Sequence, residues 1–411
     1  MKPEVFTGSF TQQEPIPEEA IAAAVAVMRH GRLHRYNTVA GETAEAAALE
    51  AEFAAFTGAR FCLAVASGGY ALGCALRACG LAAGDPVLTN AFTLAPVPGA
   101  IAAAGGRPVF VEIGPDLTLD FDDLAGKARA TGARLLMLSH MRGHVCDMEA
   151  LMDLCGDLGL QVIEDCAHTM GAAWNGVPSG RHGAIGCYST QTYKHMNSGE
   201  GGLVVTDDED LAARMILLSG SYMLYARHPA APGEEVFRRL RLDIPNVSGR
   251  MDNLRAAVLR PQIAMLADRR ARWAALYRRL EAGLAGIPGL RLIARPESEA
   301  YMGSSFQFLL PDWEPARIRA FLAGAVGRGV ELKWFGADEP QAFTSRYPHW
   351  RYAGVQSCPA TDRILAGLID LRLPLTFSPE DAAQIARILR DEALRIGQAE
   401  AVAAVETPLI Q

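Results

Sequence analysis

Short apolar runs alternate with helix-length amphipathic stretches along the first half of the chain. From Pro17, Glu18 and Glu19 lead into Ile21, Val25 and Met28 at helical spacing, with Gly31 as a stop, and this predicts a first helix. Residues 44–56 predict a second. The pattern then changes to short apolar runs bounded by Gly, Pro or Asp: FCLAVA (61–66), PVLTN (86–90), PVFVEI (108–113), RLLMLS (134–139), LQVIE (160–164), IGCYST (185–190) and GLVVT (202–206). Helix-length segments such as 70–79 and 147–158 separate most of them. Strands alternating with helices predict an α/β fold whose mainly parallel sheet is covered on both faces.

A single long helix is predicted over 251–285, with Leu254, Val258, Met265, Trp273, Leu276 and Leu280 on its apolar stripe, linking the large domain to the remainder. Beyond Pro288 the order is strand LRLIA (290–294), strand SSFQFLL (304–310), helix 315–327, strand VELKW (330–334), an aromatic loop, helix 361–369, strand LRLPL (371–375) and helix 379–396. That order predicts a smaller α+β domain. The expected division is 1–255 for the large domain, with its N-terminal helical segment, and 256–411 for the small domain including the linker helix.

Composition narrows the class. Of the 411 residues 50% are apolar and 21% charged, which excludes a disordered chain. With 39 basic against 46 acidic residues the net charge is -7, and no basic run stands out, so no nucleic-acid partner is expected. No apolar stretch reaches the roughly 18 residues needed to cross a bilayer, and the N-terminus lacks the layout of a signal peptide. The eight cysteines are scattered, with no C-x-x-C pair, which fits a reducing, cytoplasmic compartment. Small-molecule partners are the expectation.

In open α/β sheets ligands bind beyond the carboxyl ends of the strands, and three places qualify. Ser67-Gly68-Gly69 follows the first strand and opens a helix, an arrangement that seats an anion on backbone N–H groups or serves as an ordinary cap. Glu164-Asp165 ends LQVIE, where a carboxylate needs a cationic or N–H partner or acts as an N-cap. Lys194 sits in a Gly-rich turn between two apolar strands, with no acidic residue within five positions on either side. No G-x-G-x-x-G or G-x-x-x-x-G-K-[ST] motif occurs. A phosphate seat, a strand-end Asp and a lone Lys, in that order, are the parts that hold pyridoxal phosphate (PLP): anchor, partner for the pyridine nitrogen, and Schiff-base amine.

The run VIEDCAHTMGAAWNGVPSGRHGAIGCYSTQTYKHMNSGEGGLVVTDDEDLAARMILLSG (162–220) resembles the signature region of the DegT/DnrJ/EryC1/StrS aminotransferases. The segments 66–76, 91–113, 140–151 and 246–263 extend the likeness over about residues 18–285. The resemblance implies an aspartate-aminotransferase-like large domain (fold type I) and a homodimer with shared active sites. It implies that Lys194 bonds the cofactor and moves the substrate proton, that Asp165 pairs with the pyridine nitrogen, and that Ser189 contacts the phosphate with Gly68 and Gly69. Relatives carry Thr where Gly69 stands, and Tyr70, replacing a small residue, offers a hydroxyl of its own. His168 stands where relatives place Gln or His near the ring oxygen, and Leu94 where they place an aromatic over the ring. Asn246 or Ser248 reaches the neighbouring subunit's phosphate, while Asp147 and His140 either border the substrate pocket or hold their turn.

The implied activity is transfer of an amino group from glutamate or glutamine, through PLP and its pyridoxamine form, to a keto or aldehyde acceptor such as a keto-sugar or cyclitol. Two alternatives stay open: a pyridoxamine-phosphate dehydratase, in which a His replaces the lysine and which neighbouring His195 brings to mind, and a non-catalytic PLP-binding regulator. No metal is expected. Lys333, Trp334, Phe335, Tyr347, Trp350 and Tyr352 either line an unusual acceptor pocket or pack the small domain's core.

Overall fold

Seven of the apolar runs pair side by side. In the computed structural model, which describes residues 3–406, they are β1 (Phe61–Val65), β2 (Pro86–Asn90), β3 (Arg107–Val111), β4 (Leu135–Ser139), β5 (Gln161–Asp165), β8 (Ile185–Ser189) and β9 (Gly202–Thr206). Their order in the sheet is β1-β9-β8-β5-β4-β2-β3, and only β9 runs against its neighbours. Alternate side chains go to opposite faces, so Leu63 and Val65 join the core under helices Gly68–Ala78 and Glu209–Leu218, whereas Cys62 and Ala64 pack under helix Glu45–Thr57. Helices on both faces explain why these strands read as continuous apolar runs. Two short strands, β6 (Ala173–Trp174) and β7 (Val177–Pro178), form a hairpin that pairs with β11 (Glu299–Ala300).

The second sheet has the order β10-β12-β14-β13, built from β10 (Arg291–Leu292), β12 (Ser305–Leu309), β13 (Lys333–Trp334) and β14 (Leu368–Arg372). It packs with helices Leu266–Leu284, Pro315–Gly327 and the start of Pro379–Glu406 around Phe306, Phe308 and Phe321. The strand expected at 371–375 lies at Leu368–Arg372, because helix Pro359–Ala366 stops sooner than expected and Gly367 ends it.

Two expectations need correction. The helix expected over 251–285 is two, Asn253–Ile263 and Leu266–Leu284: Pro261 has no N–H for the carbonyl one turn back, and the chain turns at 264–265. The first helix forms at Glu18–His30 but buries Ala20, Ala24 and Val27, leaving Ile21 and Met28 exposed; small alanines allow close packing against helix Asn253–Ile263, whereas periodicity of large residues pointed to the other face. Contacts also cross the expected 255/256 boundary in both directions. Phe6 and Phe10 sit in the C-terminal core against Phe377, and helix Asn253–Ile263 packs on the large domain's first two helices.

Candidate active site

Pairing of both Val65 and Ser189 with Gly202 aligns the ends of β1 and β8, so the turn at Ser67–Gly69 lies against Ser189. A Cβ at Gly68 would sit 2.8 Å from the Ser189 Cβ, and one at Gly202 would sit 2.6 Å from the Ser67 carbonyl oxygen, so only glycine permits this approach. Ser67 caps the helix, its hydroxyl oxygen accepting the Tyr70 N–H at 3.1 Å. The first N–H groups of a helix have no intrahelical acceptor, and Gly68, Gly69 and Ser189 line one cavity, a seat for a small dianion.

Successive residues of β5 point to opposite faces, which separates two adjacent carboxylates. Glu164 turns into the protein, where its oxygens accept N–H groups from Gly180 at 2.8 Å, His182 at 2.8 Å and Gly183 at 2.7 Å and meet His140 Nε2 at 3.0 Å. Asp165 faces the cavity. Its Oδ1 accepts the Ala167 N–H at 3.1 Å, but Oδ2 has only the Ser139 hydroxyl, at 3.4 Å. Burial pushes the Asp165 carboxyl upward, against the Ala167 N–H and the charge of Lys194. That loosely held oxygen suits a cationic N–H donor.

Lys194 arrives from the turn between β8 and β9, which Thr190 closes by donating its N–H to Gly201 at 3.0 Å and accepting from Ser198 N–H at 2.9 Å. The lysine Nζ lies 2.8 Å from His168 Nε2, and His168 Nδ1 accepts the Arg142 N–H at 3.3 Å. The acceptor role of Nδ1 puts the ring proton on Nε2, which then donates to an unprotonated Lys194 amine. Burial lowers Lys194 to about 8, against the opposing pull of Asp165, which enlarges the neutral share of the amine, and burial, with the Lys194 charge when that amine is protonated, holds His168 well below the usual histidine range. His195 points away, with Nε2 3.0 Å from the Ser304 hydroxyl and its ring against Trp273.

Outside this inner space of about 80 Å³ opens a chamber of about 520 Å³, and Gly68, Gly69, Leu94, His168, Ser189 and Lys194 line both. The outer wall adds Arg142, Tyr193, Lys333, Phe343 and Arg372. Of the C-terminal aromatics, Trp334, Phe335, Tyr347 and Trp350 are buried core, Phe335 against Phe92 and the last two against Phe110, and Tyr352 is exposed on the surface; only Lys333 of that set reaches the chamber.

Other expected residues lie elsewhere. The Tyr70 hydroxyl meets the Val247 carbonyl at 2.7 Å and the Leu218 carbonyl at 3.1 Å, so it clamps the 247–249 turn and does not reach the anion seat. Asp147 caps helix Met148–Leu158, and His140 ties down Glu164; both hold structure. Asn246 and Ser248 are exposed and line neither chamber. Sequence reasoning missed Arg142, Tyr193, Phe343 and Arg372. Arg142 carries a signal of its own, since it follows the carboxyl end of β4, where ligands of open α/β sheets bind.

A family model, the DegT/DnrJ/EryC1/StrS aminotransferase family, matches residues 15–390. The chain belongs to this family. A member from Streptomyces griseus, L-glutamine:scyllo-inosose aminotransferase, is 36% identical over 222 residues, 54% of this chain and 52% of that one. The pleiotropic regulatory protein of Geobacillus stearothermophilus is 34% identical over 239 residues, 56% of this chain and 60% of that one. The chain thus spans about half to three-fifths of these two relatives' lengths. The solved structure of 3-amino-5-hydroxybenzoic acid synthase matches at a TM-score of 0.80 and 26% identity, covering 94% of this chain and 99% of that one. The chain shares its α/β fold with that structure over nearly its whole length, and no helix among the described residues is long and apolar enough to cross a membrane.

Proposed function

We propose that this family member is a cytoplasmic, homodimeric PLP-dependent aminotransferase that moves an amino group from glutamate or glutamine to a keto-sugar or cyclitol ketone. The observation that carries the reading is the meeting, around one small cavity, of a helix N-terminal anion seat, the under-bonded Asp165 Oδ2 and the depressed Lys194 amine. The residues fit the cofactor: Gly68, Gly69 and Ser189 for its phosphate, Asp165 for its ring nitrogen, Leu94 against its face and Lys194 for its aldehyde carbon. When bound, the cofactor supplies an electron sink and carries the amino group between substrates.

The protein's own work is then acid–base and positional. Asp165 keeps a proton at the ring nitrogen. Lys194, whose lowered pKa gives it a much larger neutral share than an ordinary lysine, is nucleophilic as the resting anchor and, once displaced by a substrate amine, takes and returns the substrate Cα proton. His168 holds that amine in place through Nε2. One pocket serves donor and acceptor in turn. Exposed Tyr222, Met223, Leu242 and Val247, near Asn246 and Ser248, support a subunit interface that would carry one of those two polar residues to the partner's phosphate. Eight free thiols fit the reducing compartment.

The purified protein should sediment as a dimer, take up PLP with a visible absorption band, and lose that band when glutamate or glutamine is added. A monomer overturns the shared-site part. Cofactor uptake with no response to any amino acid favours the regulatory role that the Geobacillus relative's name describes.

The anion seat has its own test. Gly68→Ala places a methyl 2.8 Å from Ser189 and should weaken PLP binding by about tenfold or more, whereas a Cβ at Gly69 meets only the Ser67 hydroxyl, at 4.0 Å, and Gly69→Thr should bind at least as tightly as wild type. Equilibrium titration by cofactor fluorescence reads both, and equal affinities in the two variants would remove the phosphate from this turn.

A further inference from the structure

The outer chamber holds more positive charge than the donor's α-carboxylate requires. Arg142 comes from the turn after β4, and Lys333 and Arg372 from neighbouring strands of the small sheet. In that sheet Lys333 pairs with Asp370, and Arg372 stands two residues beyond Asp370, so the three side chains share one face. Asp370 is committed: its Oδ2 lies 2.9 Å from Arg142 Nη2 and its Oδ1 accepts Gln307 Nε2–H at 2.7 Å. Of the carboxylates lining the chamber among the described residues there is only the exposed Glu200.

Two cations remain, each set on an aromatic ring. Lys333 Nζ stands 3.8 Å from the Phe343 centroid, and the Arg372 guanidinium 3.7 Å from that of Tyr193. A ring face attracts a cation without neutralising it, so both charges stay available to an anion. Burial lowers Lys333 to about 8, against the opposing charge of Asp370 and helped by Arg142 and Arg372, and burial then Arg142 lower Arg372. An arriving anion relieves that mutual repulsion. The same two guanidiniums also lower Lys194.

We propose that Lys333 is a distal anion seat, so that a substrate held by its α-carboxylate at Arg372, with its amine at Lys194, is chosen for a second anionic group at its far end. In the donor half of the reaction this selects glutamate over glutamine, whose terminal amide is neutral. In the acceptor half the same seat favours a ketone bearing a carboxylate or phosphate over a neutral cyclitol. A charge-assisted bond is about twice as strong as a neutral one, which sets the expected size of the preference. The inference rests on the aminotransferase reading and refines it.

The test follows loss of the visible band of the PLP-loaded protein with L-glutamate and with L-glutamine. Wild type should react with glutamate roughly tenfold or more faster per unit concentration. In Lys333→Met the ratio should collapse toward one, and Lys333→Arg should restore it. Glutarate, a dicarboxylate without an amine, should bind wild type more tightly by calorimetry than its monoamide, and lose that advantage in Lys333→Met. Equal rates for the two donors in wild type, or a preference that survives Lys333→Met, overturn the seat. If neither donor reacts, the aminotransferase reading fails, and the glutarate comparison still decides for or against the seat.

Discussion

Lys194→Ala is expected to abolish the visible band of bound PLP, prevent its fixation by borohydride, and lower transamination by at least ~10³-fold. The size follows from two roles in one side chain, the covalent anchor and the proton carrier at the substrate Cα. Lys194→Arg should rescue neither, because a guanidinium stays protonated where the amine must be neutral. The fold should survive both changes, since the close polar partner of Lys194 Nζ is the cavity-lining His168 and its loop is closed by Thr190, Gly201 and Ser198. A Lys194→Ala protein that keeps the band, or in which a different lysine becomes fixed to the cofactor, sinks the assignment. His195 cannot substitute: its Nε2 is engaged with Ser304, and its ring lies against Trp273.

The inner cavity was legible because each part is local in the chain. A strand end followed at once by a helix start marks Ser67-Gly68-Gly69, a strand end marks Asp165, and the turn between β8 and β9 marks Lys194. The strands at 86–90 and 202–206 were readable to the residue, since polar or small residues bound an apolar run at both ends. A strand buried on both faces leaves that signature whether it runs with its neighbours, as 86–90 does, or against them, as 202–206 does.

The outer chamber was not legible, because no local pattern assembles it. Arg142, Lys333 and Arg372 are brought together by docking of the small sheet, and a strand placed three residues late hid the alternation that puts Arg372 beside Asp370. Tyr70 misled for a related reason. Its hydroxyl follows a helix start, yet the side chain runs outward to carbonyls at 218 and 247, more than a hundred residues away. Phe6 and Phe10 likewise acquire their role only where the C-terminal core folds back over them.

Asp165→Asn should separate cofactor binding from catalysis. The phosphate seat and Lys194 are untouched, so PLP should still bind and be fixed by borohydride, while kcat falls by ~10²–10⁴-fold because a neutral amide cannot keep the ring nitrogen protonated. The local fold tolerates the change: an Asn Oδ1 accepts the Ala167 N–H as the carboxylate does at 3.1 Å, and the weak 3.4 Å contact with Ser139 adds little. Loss of the carboxylate also removes the charge that raises the Lys194 pKa, so the amine, already lowered to about 8, falls further. Cofactor uptake by the apoprotein, which needs the neutral amine, should therefore extend to lower pH in the variant than in wild type. A purely structural Asp165, serving only as acceptor for Ala167, predicts the same shift in uptake, which follows from the lost charge alone, but turnover retained by Asn. Single-turnover rates across pH 6 to 9 distinguish the two, and retained turnover would leave the ring nitrogen without its partner in this cavity.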